Sequence, residues 1–168
     1  IPYWNLAWGG SGTDQMYRYL YHLGPKLRPQ IIISLTSFLE RRELFANNGE
    51  FLPNHKPDEV SKKEFHSYIQ VLTEKKLVRY LTEKNFASIN MLLEKWNCLM
   101  LSFPIDYQFD FSNIQLSNIK HLNFQWKWVD NARDGTHPGP TTNKHMADTI
   151  FEQSWPYIKD KLNLSNIS

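Results

Sequence analysis

A single cysteine, Cys98, stands in the 168 residues, inside the apolar run CLML, so no intrachain disulfide can form and the chain fits a reducing compartment. Long apolar runs are missing as well. The longest, IIISL and CLML, fall far short of the roughly 20 residues that a membrane-spanning helix needs. A charged stretch followed by an apolar one, the pattern of a secretory leader, is not legible in these residues. Charge of one sign is scarce too: 19 Lys and Arg stand against 17 acids, a balance that suggests no basic surface for nucleic acid. We therefore expect no nucleic-acid or membrane partner and a cytoplasmic or virion-associated location. Two N-x-S sequons, at Asn163 and Asn166, carry no weight without a secretory context.

Aromatic residues, by contrast, are plentiful at 14%, enough to build a core in a chain of this length and to exclude wholesale disorder. IPYWNLAW reads as a short buried strand stopped by Gly9 and Gly10. A helix follows, capped by Thr13 or Asp14, with Met16, Tyr17, Leu20 and Tyr21 on one face and Gly24 as its stop. RPQIIISL is a second strand, apolar on both faces as parallel strands covered by helices are. Residues 46–60 carry turn residues throughout, and Ser61-x-x-Glu64 is a capping box opening a helix with Phe65, Ile69 and Leu72 on one face. Ile89, Leu92, Leu93 and Trp96 mark a further helix, and CLMLSFPI a third strand. Residues 106–130 are aromatic and irregular, with one short strand expected near Phe124 to Val129. Thr141 or Thr142 caps a last helix that turns Met146, Ile150, Phe151, Trp155 and Ile158 inward and is interrupted near Pro156.

Neither an internal repeat nor a linker divides the chain, so we expect one domain over 1–168. The alternation of strands and helices predicts an open α/β layered fold with a mostly parallel sheet. In such sheets ligands bind beyond the carboxyl ends of the strands. Three polar segments fall at those ends: GGSGTD, TSFLERRE and DGTHPGP.

The last of these holds Asp134 and His137, three residues apart. An isolated Asp-x-x-His is most often an ordinary loop histidine beside an Asp-Gly turn. Here the glycines and prolines on both sides point to a backbone of defined shape, in a position where a base would project over the sheet edge. An acid at that spacing can accept from the imidazole and fix its tautomer. Ser11 among glycines is not a nucleophile elbow, because Thr13 stands where the motif requires Gly. Gly10 is better placed to turn its N–H toward a developing oxyanion. Thr36, Ser37, Glu40 and Arg41 lie at the mouth of the second strand, as helix-capping residues, ligand contacts or both. His22, His55, His66, His121 and His145 show no metal-ligand spacing with cysteines or acids.

In this order, NLAWGGSGTDQ, RPQIIISLTSFLERRE and ARDGTHPG resemble the conserved blocks of the SGNH hydrolases, the GDSL-type esterases, in a branch found in phage and marine bacterial sequences. The resemblance implies a three-layer α/β/α flavodoxin-like sandwich and an esterase or acylhydrolase that needs no cofactor. It makes His137 the general base and Asp134 its orienting acid. It also assigns the oxyanion hole to Gly10, with Ser37 or Thr36 in place of an Asn, and a substrate contact to Arg41. The implied substrate is a small ester, with an acetylated carbohydrate as one class. Two departures stand out. No Asn occupies the third block, and the first block, the strand and Gly-Asp-Ser turn that carry the nucleophile, is absent.

In that family the first strand lies between the two represented by IPYWNLA and QIIISL. The chain also opens on Ile1 rather than Met. We therefore expect an upstream segment of some tens of residues, or a second chain, to supply the serine. An intact mass equal to 19.9 kDa would exclude the former. A non-catalytic domain of the same shape, binding glycans or building a virion, is the alternative, and acyl transfer is a third outcome of the same chemistry.

Overall fold

The computed structural model describes residues 2–7, 12–36, 44–45, 51–52, 74–104, 114–122, 127–135 and 137–164. Along the chain these form α1 (Thr13–Leu27), β1 (Ile31–Thr36), β2 (Leu44–Phe45), β3 (Phe51–Leu52), α2 (Lys75–Lys95), β4 (Leu99–Pro104), β5 (Ile119–His121) and α3 (Pro140–Lys161). The strands β1, β4 and β5 form a parallel sheet in the order β1-β4-β5, and β2 and β3 pair antiparallel. The protein is thus α/β, as its alternating pattern predicts.

Register explains burial. Ile31 to Thr36 stand opposite Leu99 to Pro104, and Met100 to Ser102 opposite Ile119 to His121. Because successive side chains alternate faces, one face carries Ile32, Met100 and Ile119, and the other Ile33, Leu101, Leu35 and Phe103. On the first face Leu20 of α1 and Phe86, Ile89 and Leu93 of α2 close a core with Cys98, Met100 and Ile119. On the second, Met146, Ile150 and Ile158 of α3 cover Leu101 and Phe103. β4 is therefore buried on both sides, whereas on β1 Ile33 and Leu35 remain 50% and 45% exposed.

Several local expectations are corrected. Residues 2–7 form no strand, and Tyr3, Trp4 and Leu6 are exposed. An extended segment becomes a strand only when a neighbour accepts its backbone bonds, and among the described residues none does. Gly24 does not stop α1, which runs on through Pro25 to Leu27. The glycine is needed because a Cβ there would run into the Trp96 ring. Arg28 ends the helix instead, with φ 47° and its N–H on the Gly24 carbonyl at 2.8 Å. The cap before α1 is Gly12, which contributes no side-chain bond. α2 opens on Glu74, whose carboxylate accepts from the Leu77 N–H at 2.8 Å.

Among the described residues of the irregular region the strand is Ile119–His121; of the strand expected near Phe124 to Val129, Lys127 to Val129 form none and residues 124–126 lie outside the described residues. Helix α3 continues past Pro156, which lies on its exposed side together with Glu152, the residue whose carbonyl the proline leaves without a helical donor. Phe151 faces out, stacked on Trp155 at 5.5 Å, and the inward position one turn beyond Ile150 is the buried Ser154. The Ser61 capping box, with Phe65, Ile69 and Leu72, lies outside the described residues.

Candidate active site

Helix α3 fixes where the Asp134–His137 segment sits. Near its C-terminus, Lys161 Nζ donates to Asn97 Oδ1 at 2.8 Å, and Asn97 stands two residues before Leu99, the start of β4. The helix therefore runs antiparallel to the strand it covers. Its 22 residues extend roughly 33 Å at 1.5 Å per residue. The six residues of β4 extend only about 20 Å. The N-terminus of α3, and the segment that feeds it, consequently lie beyond the carboxyl end of the sheet.

That segment is a small hairpin. Asn131 bridges Pro138, the Ala132 N–H donates to the His137 carbonyl at 2.8 Å, and the Gly139 N–H to the Asp130 carbonyl at 2.9 Å. At its tip the Gly135 N–H returns to the Ala132 carbonyl at 3.0 Å, with Gly135 at φ +71°, a left-handed conformation that favours glycine. Asp134 closes the loop. Its Oδ1 accepts from the His137 N–H at 3.1 Å, and its Oδ2 lies 2.5 Å from His137 Nδ1. With the proton on Nδ1 the ring donates to the carboxylate, and Nε2 carries the lone pair that a general base needs. The pair is open to solvent, the histidine side chain 74% and the aspartate side chain 50% exposed.

Beneath the hairpin lies a group of polar contacts that no local spacing suggests. N-cap Gly139 has no side chain to offer α3, and the carboxylate of Asp130 serves instead. Asp130 Oδ1 accepts from the Thr142 N–H at 2.7 Å, and Oδ2 from the Thr141 N–H at 3.1 Å. The buried Thr142 hydroxyl donates to Asp130 Oδ1 at 2.7 Å and accepts from the Val129 and Asp130 N–H groups at 3.0 Å. Partial burial pushes the Asp130 carboxyl up, but the bonds from Thr142 and Thr141 outweigh it and hold the group down at about 2. Gly139 must lack a Cβ, which would meet Asp130 Cγ at 2.6 Å and the Asn131 carbonyl at 2.7 Å.

Of the other residues named from sequence, Thr36 is 3% exposed, with its Oγ1 2.7 Å from the buried Ser102 Oγ. Its hydroxyl belongs to the interior of the sheet. Gly10, Ser37 and Arg41 lie outside the described residues. The helix that follows Gly10 in the sequence has a tethered start: Asn85 Nδ2 donates to Thr13 Oγ1 at 3.0 Å and to Asp14 Oδ1 at 2.5 Å.

Two further reactive side chains occupy the core. His121, at the end of β5, packs edge-on to Phe86 at 5.1 Å, and burial pushes its imidazole down to about 4. Burial also pushes the Cys98 thiol up to about 12, against a smaller opposing pull from Lys161, so it is no nucleophile at neutral pH. Among the described residues no three His, Cys, Asp or Glu side chains are grouped to hold a metal ion, and no helix is long and apolar enough to cross a membrane.

The chain matches no family model, no curated protein and no solved structure.

Asp130 and Thr142 were beyond the reach of spacing. An Asp capping a helix from ten residues upstream has no local signature, unlike the adjacent caps that Thr141 and Thr142 themselves resemble. The one available signal was Gly139-Pro140, since a glycine in the cap position leaves the first-turn N–H groups to be met from elsewhere.

Proposed function

We propose that the protein is an SGNH-type serine hydrolase domain of flavodoxin-like α/β/α architecture, cleaving esters, with carbohydrate O-acetyl groups as the substrate class. The Asp134–His137 pair carries this reading: an imidazole oriented by a carboxylate at 2.5 Å, in a hairpin beyond the carboxyl end of a parallel sheet. In the reaction His137 Nε2 takes the proton of a serine hydroxyl as the serine oxygen attacks the ester carbonyl. The proton then passes to the departing alkoxide, and water repeats the sequence on the acyl-enzyme. The backbone N–H of Gly10, with a donor from Ser37, holds the oxyanion. Arg41 contacts the substrate.

The nucleophile belongs to a strand supplied from upstream or by a second chain. Two observations support that part. Among the described residues β1 pairs on one side only, with Ile33 and Leu35 half exposed on its outer face. Residues 2–7 likewise join no strand among the described residues, with Tyr3, Trp4 and Leu6 exposed. One further strand beside β1 would satisfy both.

The second reading is a non-catalytic domain of the same shape that binds glycans or builds a virion. It is favoured by Thr36, whose hydroxyl pairs with Ser102 inside the sheet rather than standing ready for an oxyanion. A fluorophosphonate probe on the full chain separates the two. The esterase labels at one serine, and His137→Ala abolishes the labelling. A folded full chain that does not label, or labels equally well without His137, overturns the enzyme.

A further inference from the structure

Asp134 and His137 stand on an exposed hairpin, so the backbone that carries them helps to set their geometry. That backbone is rooted at one place. Both strands of the hairpin converge on Asp130 and Gly139, joined by the Gly139 N–H to Asp130 carbonyl bond at 2.9 Å. Asp130 is bound in turn to the first turn of α3 through the Thr141 and Thr142 N–H groups and the Thr142 hydroxyl. The anchoring hydroxyl is fully buried, and it also receives the N–H groups of Val129 and Asp130. A second tie, Asn143 Nδ2 to the Pro138 carbonyl at 3.2 Å, joins the other strand of the hairpin to the same helix.

We infer that Asp130 and Thr142 are positioning residues for the Asp134–His137 pair: the clamp between them sets the angle at which the hairpin leaves α3, and hence where His137 Nε2 is held. The inference rests on the hydrolase reading only for its consequence in rate. The geometric part stands on the clamp alone. Removing the Thr142 hydroxyl takes the acceptor from two backbone N–H groups and one donor from the Asp130 carboxylate. The hairpin root then loses its fixed register against the helix, and the Nδ1 to Oδ2 contact is no longer held. Thr142→Ser retains the hydroxyl and should retain the geometry.

The experiment compares wild type, Thr142→Val and Thr142→Ser in the full chain, each confirmed as folded by its cooperative thermal transition. Long-range imidazole NMR should show His137 with its proton on Nδ1 in wild type and Thr142→Ser. In Thr142→Val that tautomer preference should be lost. Fluorophosphonate labelling should slow on the order of 10²-fold in Thr142→Val, the scale of a 1 Å misplacement, and recover in Thr142→Ser. If Thr142→Val does not fold, Asp130→Asn carries the same comparison, since it keeps the buried hydroxyl while weakening the cap. A folded Thr142→Val, or that substitute, with the wild-type tautomer overturns the positioning role. Wild-type protein that fails to label overturns the hydrolase reading instead and leaves the imidazole comparison decisive for the clamp.

Discussion

β4 and β1 are neighbours in one sheet, matched residue for residue, yet they live in different surroundings. Leu101 and Phe103 of β4 are wholly buried under α3, while Ile33 and Leu35, opposite them on the same face, are half exposed. Both strands are apolar and both suit a covered parallel sheet. The difference lies in position, because β4 has a strand on each side and β1 has one among the described residues. Hydrophobic pattern therefore selects what can be core, and neighbours decide what is.

The sharpest way to break this comparison is a matched pair of substitutions. Leu101→Ala should cost about 2–5 kcal/mol in chemical denaturation, the range for truncating a buried leucine. Leu35→Ala should cost no more than about 0.5 kcal/mol, as surface changes do. Equal costs would mean that β1 is covered in solution. In a chain extended upstream, a cost for Leu35→Ala that rises toward the value for Leu101→Ala would support the proposed strand beside β1.

The hairpin is exposed at Asp134 and His137, but its base is buried at Gly139 and Thr142 and is ordered by hydrogen bonds rather than by apolar packing, and Gly139 tests it. Gly139→Ala should destabilise by about 1–3 kcal/mol, the usual cost of overpacking, because the Asp130 carboxylate must move off the α3 cap. A neutral result would show that the cap tolerates displacement.

A dependence on pH is expected from His121 on the closed side of the sheet. Burial holds its imidazole at about 4, against an ordinary 6.5. The unfolded chain takes up this proton as pH falls through about 6.5, while the folded chain resists until about 4. Stability present above pH 6.5 is therefore lost progressively as pH falls toward 4. The melting temperature should decline over that window, and His121→Gln should flatten the decline. An unchanged slope would place the pH dependence elsewhere.

Much of the fold was legible wherever a segment's own pattern sufficed. The β-branched run Ile31 to Ile33 and the CLML run became parallel strands, and the spacing of Ile89, Leu92 and Leu93 became one face of α2. Ile119–His121 was not legible, since three residues with a lysine and a histidine carry no strand pattern until β4 pairs with them. Residues 2–7 failed in the opposite sense: a good strand pattern with no partner among the described residues.

The candidate site divides the same way. Sequence alone determined that Asp134 and His137 stand three apart around a glycine able to adopt φ +71°, which brings a carboxylate and an imidazole within reach of each other in one turn. Only the tertiary structure decided that this hairpin projects beyond the carboxyl end of the sheet, that Asp130 caps a helix it does not adjoin, and that Thr36 turns its hydroxyl to Ser102. Those outcomes depend on pairs far apart in the chain. Such contacts are set by which surfaces meet when the core closes, and no local run of residues encodes them by itself.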